Sequence, residues 1–145
     1  MEDVKTIDIA GIQWSIKDQK ARDEIVSINT QFTPKRLDNI PISIKPGYSA
    51  TGSEIRNIVQ YGKLYTGLIR LSDVKGDYIG SATSAQYGKV NIKPVSIFSA
   101  VGLDYIAGRP VRIEIDQDGN LIIAESTGVT NGSNVIFIQV FWIEA

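Results

Sequence analysis

The chain of 145 residues contains neither cysteine nor histidine. These absences exclude disulfides, thiolate metal sites, thiol nucleophiles and imidazole bases, and with them the Ser-His-Asp arrangement. The 15 basic and 16 acidic residues leave a formal charge of −1, so no basic surface for nucleic acid is expected. No apolar run approaches the roughly 18 residues of a membrane helix. We therefore expect no cofactor, no metal, no nucleic-acid or membrane partner, and no enzymatic activity.

Proline and alternating apolar residues divide the sequence into three segments. Residues 1–32 predict an attachment hairpin and a helix. Residues 33–52 contain Pro34, Pro41 and Pro46, which disfavour a helix or a central strand and predict a semi-rigid linker or an edge strand. Residues 53–145 contain short apolar segments separated by turn residues, which predict one β head domain.

The first segment begins with a predicted hairpin. Residues 4–16 alternate apolar and polar side chains around Ala10-Gly11, where the chain would turn. An isolated hairpin is marginally stable in water, so we expect its apolar side chains to pack against another part of the protein or against another chain. The side chains concerned are Ile7, Ile9, Trp14 and Ile16.

A helical pattern follows in residues 17–29. Apolar residues recur at intervals of four, three and four, as in the seam of a coiled coil. Because the seam is shorter than the roughly three heptads that establish a coiled coil, two arrangements stay open: a helix packed on its own hairpin, or a helix bundled with copies of itself. The predicted seam residues are Ala21, Ile25, Ile28 and Phe32.

The head domain opens with another predicted hairpin. Residues 53–71 read as two strands that reverse at Gly62-Lys63. Gly67 in the return strand indicates a close neighbour across one face. Residues 72–88, rich in glycine, serine and aspartate, predict a long loop, and residues 90–101 predict a further strand.

Residues 111–115 and 121–124 predict two strands joined by the sequence Asp-Gln-Asp-Gly-Asn. Asp-Gly supplies the positive φ that a tight turn requires. The alternating acidic residues also resemble the start of a calcium-binding EF-hand loop. However, Leu121 and Thr127 stand where that loop requires glycine and glutamate, so we predict a turn.

The last predicted strand, residues 134–143, is apolar on both faces. A small sheet has one core, and exposed apolar strands promote aggregation. We therefore expect one face of this strand to contact another subunit, although a two-layer sandwich would also bury both faces. The residues assigned to the subunit contact are Ile136, Ile138, Val140 and Trp142.

Two parts of the sequence resemble bacteriophage proteins. The pattern I-x-I-x-G-x-x-W-x-I-K-D-x-x-A-R in residues 7–22 resembles the N-terminal segment of phage fibre and baseplate proteins. Residues 56–71, followed by the Asp-Gly turn region and an aromatic terminal strand, are similar to the C-terminal head domains of phage tail proteins. The resemblance implies an attachment and trimerisation module followed by a trimeric β-sandwich or barrel that recognises host-surface glycans. The short linker favours a compact knob or a short fibre.

A glycan-binding head requires aromatic faces beside carboxylates or amides, because sugar C–H faces stack and hydroxyls need polar partners. The loops supply five candidates: Asp77, Tyr78, Tyr87, Asp104 and Tyr105. The alternative is that these tyrosines brace loops or subunit contacts. Asp73 and Asp77 are the pair that glycoside hydrolysis would use, but no activated nucleophile or phosphate cradle accompanies them.

From the sequence and its resemblance we expect a mainly β, homotrimeric virion protein, made in the host bacterial cytoplasm. It would contact other virion proteins of the baseplate, tail or capsid and adhere to host-surface polysaccharide. The alternative is a capsid decoration or head-fibre protein with a purely structural role.

Overall fold

The computed structural model describes residues 6–9, 12–15 and 19–145; side chains are described at residue 20 and from residue 22 onward, except at residue 31. The chain separates into two compact units, Met1–Thr33 and Pro34–Ala145. Each unit is therefore described by itself.

The first unit contains the predicted hairpin and helix. Strands β1 (Thr6–Ile9) and β2 (Ile12–Ser15) pair antiparallel, with Ile7 opposite Trp14. Helix α1 spans Gln19–Phe32. Within the seam, Ile25 is half-buried, whereas Ile28 and Phe32 are exposed. The turn at Ala10-Gly11 and the proposed attachment residue Ile16 lie outside the described residues.

The second unit is an antiparallel β-barrel, as predicted. Eight strands close in the order β4-β7-β10-β9-β8-β11-β6-β5, with β5 pairing again with β4, and β3 is an additional strand on β5. The strands are β3 (Lys35–Leu37), β4 (Ile40–Ile44), β5 (Gly52–Tyr61), β6 (Leu64–Ser72), β7 (Ala85–Val90), β8 (Phe98–Asp104), β9 (Arg109–Ile115), β10 (Asn120–Glu125) and β11 (Val135–Ile143).

Alternate side chains of these strands fill the barrel. Most are aliphatic, so the interior is a packed core that excludes water. The indole of Trp142 stacks on the ring of Tyr65 with centroids 5.2 Å apart. The largest fully buried side chains are Tyr87, Ile55, Ile58, Ile69, Leu71, Ile113, Ile115, Leu121, Ile136, Ile138, Val74 and Val90.

Of the two alternatives predicted for residues 33–52, the linker is wrong and the strand is confirmed, because the segment contains two strands of the barrel unit. Strand β3 pairs with β5, and β4 bridges β5 and β7. Pro34 precedes β3 and Pro46 follows β4, whereas Pro41 is the second residue of β4, opposite Glu54. Pro46-Gly47 forms a turn in which the Tyr48 amide donates to the Lys45 carbonyl at 3.1 Å.

The assignment of the last strand to a subunit contact is also wrong for the residues named. Ile136, Ile138, Val140 and Trp142 are buried inside the barrel. The opposite face of β11 carries Phe141 and Ile143, which are 61% and 49% exposed. A closed barrel has one interior, so the second apolar face of the strand points outward.

Two loop boundaries also differ from the expectation. Strand β7 begins at Ala85, within the predicted loop 72–88. Residues 91–97, expected as strand, form an irregular connection before β8 begins at Phe98. The hairpin at Gly62-Lys63 and the strands on either side of the Asp-Gly turn are confirmed.

The Asp-Gly turn is closed by hydrogen bonds between its own residues. The Asp116 carboxylate accepts hydrogen bonds from the Asp118 and Asn120 amides, both at 2.9 Å, and from Asn120 Nδ2 at 2.8 Å. Burial alone would raise the pKa of this carboxyl, but these hydrogen bonds, together with Lys89, lower it. No group of three or more carboxylates within the described residues is arranged to hold a metal ion.

Close strand packing leads to a first prediction. A Cβ at Gly102 in β8 would overlap the carbonyl oxygen of Phe137 in β11, whereas a Cβ at Gly52 would have no atom within 4 Å. We expect Gly102→Ala to lower the free energy of unfolding by about 3 kcal/mol, because the backbone of β8 or β11 must move to make room for the added methyl group. Gly52→Ala should leave it unchanged or raise it by up to about 1 kcal/mol.

Urea unfolding, followed by tryptophan fluorescence, measures both variants. Equal stability of Gly102→Ala and Gly52→Ala would contradict the close packing of β8 against β11.

Candidate functional site

Four connections gather at one end of the barrel, and together they form what we call the loop end. They are residues 45–51, 73–84, 105–108 and 126–134. The strand registers place the ends of β4, β6, β8 and β10 here, while the turns at Gly62-Lys63 and Asp116–Asn120 lie at the other end. Segment 73–84 runs from β6 to β7 and segment 126–134 from β10 to β11, so both cross the mouth of the barrel. The buried side chains of Val74 and Val129 close it.

Two asparagines of segment 126–134 hold segment 73–84 in place. The Asn134 side chain, fully buried, accepts from the Val74 amide at 3.0 Å and donates to the Val74 carbonyl at 2.9 Å. Asn131 makes the same pair of bonds with Gly76, both at 3.1 Å. The two amide groups thus take the place of a neighbouring strand, satisfying backbone groups that the loop would otherwise leave unpaired.

Further backbone bonds fix the flanks of segment 73–84. Ser49 and Lys75 exchange two hydrogen bonds at 2.9 Å. On the other side, the Ser126 amide donates to the Ser81 carbonyl at 2.9 Å, and the Gly80 amide donates to Ser126 Oγ at 3.0 Å. The tip of the segment, which carries Asp77 and Tyr78, is therefore held from both sides.

A polar concavity of about 430 Å³ lies beside this tip. It offers an ammonium group, a carboxylate, a phenol and a serine hydroxyl, which together suit a hydroxyl-rich ligand. Burial raises the pKa of the Tyr48 phenol, and the negative charge of Asp77 raises it further, so the phenol stays a hydrogen-bond donor. The lining residues are Gly47, Tyr48, Ser49, Lys75, Gly76, Asp77 and Asn131.

Tyr78 has an unusual backbone. Its φ is +67°, in the left-handed region that bulky residues rarely adopt, and its side chain is 56% exposed. The Tyr78 carbonyl accepts from Ser81 Oγ at 2.7 Å and from the Ser81 amide at 3.2 Å, and these bonds hold the turn. Backbone strain of this kind is typically retained at functional sites.

The other predicted ligand residues divide into one exposed and two buried. Tyr105 is 76% exposed at the loop end. Asp104 is buried, and its carboxylate accepts bonds from the amides of Ile106, Ala107 and Val135. It is therefore a turn cap that is not presented to a ligand.

Tyr87 is likewise part of the core. It is fully buried in β7, its ring lies edge-on to that of Tyr48 with centroids 5.5 Å apart, and its hydroxyl lies 3.1 Å from Ser53 Oγ. Burial raises the pKa of this phenol. The sequence placed Tyr87 in a loop because Gly80 and Gly88 flank it, but β7 runs through this position.

The structure adds Tyr48, Lys75 and Asn131 to the candidate site. Pro46-Gly47 before Tyr48 and Gly132 after Asn131 are turn signals that mark these residues as loop residues. Their convergence with Asp77 depends on non-local strand pairing, which no local signal reveals.

A second feature of the barrel is an exposed apolar surface, here called the apolar face, on three adjacent strands. Residues on β6, β8 and β11 point outward and are between 45% and 63% exposed. Contiguous exposed apolar side chains mark interaction surfaces. The apolar face consists of Leu64, Val101, Leu103, Phe141 and Ile143.

Comparisons with known proteins show a likeness to a solved structure. No protein-family model matches the chain, and no curated protein sequence matches it. Among solved structures, it is similar to the receptor-binding protein (gp15) of Listeria phage PSA, with a TM-score of 0.47 and 11% sequence identity over 88% of this chain and 74% of that chain. In the described part of the chain, no helix is long and apolar enough to cross a membrane.

The left-handed backbone of Tyr78 generates a second prediction. We expect Tyr78→Gly to leave the free energy of unfolding unchanged or to raise it by about 1 kcal/mol, because glycine adopts positive φ without strain. The matched variant Tyr105→Gly, at an exposed tyrosine of the same end with ordinary φ, should lose about 0.5–1 kcal/mol through the greater entropy of its unfolded chain. Chemical denaturation measures both, and a larger loss for Tyr78→Gly would argue against strain at this residue.

Proposed function

We propose that the chain is a bacteriophage virion protein whose loop end adheres to glycans on the host surface. The main support is the tip of segment 73–84, where an exposed tyrosine in a strained conformation stands next to a carboxylate and a polar concavity. An aromatic face stacks on sugar C–H groups, and the carboxylate accepts from sugar hydroxyls. The sequence resemblance to phage fibre, baseplate and tail head proteins supplies the virion context.

The proposed role is adhesion to the glycan without hydrolysis of it. Asp73, the carboxylate that hydrolysis would pair with Asp77, accepts a 2.7 Å hydrogen bond from Thr51 Oγ1. Asp77 is exposed at the tip of the segment. Binding is the activity that these residues support.

Adhesion is tested by glycan binding with three variants. On an array of bacterial surface polysaccharides, the full chain should bind reproducibly. Tyr78→Ala should weaken binding about tenfold or more, the loss expected when a stacking contact is removed. Asp77→Asn should weaken it as well, because one hydroxyl acceptor becomes a donor. Tyr61→Ala, at an exposed tyrosine of the opposite end, should bind like the unchanged chain.

Absence of binding to any host polysaccharide, or equal binding by all variants, would favour the second candidate. That candidate is a structural decoration or head-fibre protein, and the exposed apolar face favours it, because such a face serves assembly whether or not a ligand binds. Antibody labelling of intact virions separates the two candidate functions. Label at the tail tip agrees with adhesion to the host, and label over the capsid agrees with decoration.

In both candidates we propose that the chain assembles as a homotrimer through the apolar face. Subunit contacts bury aromatic and aliphatic side chains in their centre, and Phe141 and Val101 are the most exposed members of the face, at 61% and 63%. In the other unit, Ile28 and Phe32 of helix α1 are also exposed, which suits a helix that packs on copies of itself.

Assembly is tested by sedimentation velocity. The unchanged chain should sediment as a species of three chains, and the double variant Val101→Asp, Phe141→Asp should sediment as one, since buried carboxylates oppose association. The control Ser43→Asp changes an exposed residue of β4, a strand that lies across the barrel from β8. This variant should leave the trimer intact. A monomeric unchanged chain, or an unaffected double variant, would refute the proposed interface.

A further inference from the structure

A groove in the barrel wall, away from the loop end, lies where two strands share one edge of β5. Strand β4 pairs with Glu54 and Ile55, and β3 pairs with residues 58–60. Between these two stretches β5 bulges, with a register shift between Arg56 and Val59. The bulge opens a groove of about 420 Å³, and bulges frequently re-aim side chains at functional sites.

The residue at the bulge is held in a special conformation. Asn57 has φ +54° and is exposed. Asparagine tolerates this region better than most residues, but the conformation interrupts the alternation of β5, so that Ile55 and Ile58 both point into the core. The Asn57 side chain makes no hydrogen bond to any residue that the structure describes. Its amide is thus available at the groove.

The groove carries one charge, and it is positive. Arg36 of β3 is the charged residue among those that line it. Within the described part of the chain, the Arg36 side chain has no acidic partner. The nearby carboxylate of Glu54 is engaged by Asn39, whose Nδ2 donates to Glu54 Oε2 at 3.1 Å. That bond leaves the Asn39 carbonyl oxygen free to accept.

We propose that this groove binds an anionic group, a carboxylate or a phosphate, on a hydroxyl-bearing ligand. The Arg36 guanidinium presents paired donors that match either anion. The Asn39 and Asn57 amides supply a donor and acceptors for adjacent hydroxyls. Val59, which lies opposite Arg36 on the same face of the β3–β5 pair, supplies an apolar surface on which the C–H face of a sugar or polyol lies. This site is separate from the loop end, so each of the two can fail without the other.

The test is a titration of the full, ¹⁵N-labelled chain followed by NMR, with inorganic phosphate, glucuronate and neutral glucose as separate probes. Phosphate or glucuronate should cause saturable shifts at millimolar concentration in the Arg36 Nε–H and in the Asn39 and Asn57 side-chain amides. With inorganic phosphate, which has no sugar C–H face to stack on a tyrosine, resonances of Tyr78 should not move. The anion that saturates at lower concentration identifies which of the two the groove prefers.

Two variants and one control sharpen the test. Arg36→Gln, at an exposed edge-strand residue, should weaken anion binding about tenfold or more, the loss expected for a charge-assisted pair. Asn57→Gly keeps the positive φ but removes the amide, so it should weaken binding while the chain stays folded. Arg112→Gln alters an arginine that is 44% exposed and already paired with Glu114 at 2.8 Å, and it should bind as before.

Three outcomes would overturn the proposal. They are the absence of saturable shifts with either anion, shifts that persist unchanged in Arg36→Gln, and equal shifts with glucose. Each would show that the guanidinium and the groove do not form an anion site.

Discussion

The loop end depends on the buried amide of Asn134. A segment that crosses a barrel mouth must bury some of its backbone, and every buried N–H or C=O group without a partner costs about 1–3 kcal/mol. The Asn134 side chain accepts a hydrogen bond from the Val74 amide and donates one to the Val74 carbonyl. It also donates to the Thr130 carbonyl at 2.8 Å. Because Val74 is thereby fixed, its side chain seals the core, and the residues that follow it emerge in one defined direction.

The same arrangement explains why the tip of segment 73–84 suits recognition. Asn131 repeats the pairing at Gly76, immediately before Asp77 and Tyr78. Loops that are ordered before a ligand arrives lose less entropy on binding. The strained backbone conformation of Tyr78 is retained only because the surrounding hydrogen bonds fix the backbone of the segment. The rigid frame and the strained residue are thus two parts of one arrangement.

Local signals in the sequence predict elements whose determinants are local. The hairpin at Gly62-Lys63 and the Asp-Gly turn each depend on a few adjacent residues, and both are confirmed. Proline favoured a linker over a strand for residues 33–52, but Pro34 and Pro46 lie outside β3 and β4, and Pro41 is accommodated at the second residue of β4. Strict alternation would place Ile55 and Ile58 on opposite faces of β5, but the bulge at Asn57 brings both into the core. No residue type indicates a bulge reliably.

The candidate sites show the same division between local and non-local determinants. Tyr78 and Asp77 were predicted because they are adjacent in a segment rich in glycine and serine. The buried Tyr87 and Asp104 also lie close to glycine in the sequence, at Gly88 and Gly102, so proximity to glycine does not separate an exposed loop residue from a core residue or a turn cap. The sequence does not reveal the groove at the bulge, because Arg36 of β3 and Val59 of β5 are brought together by a non-local strand pairing. The residues that specify strand pairing therefore also specify which polar side chains lie together.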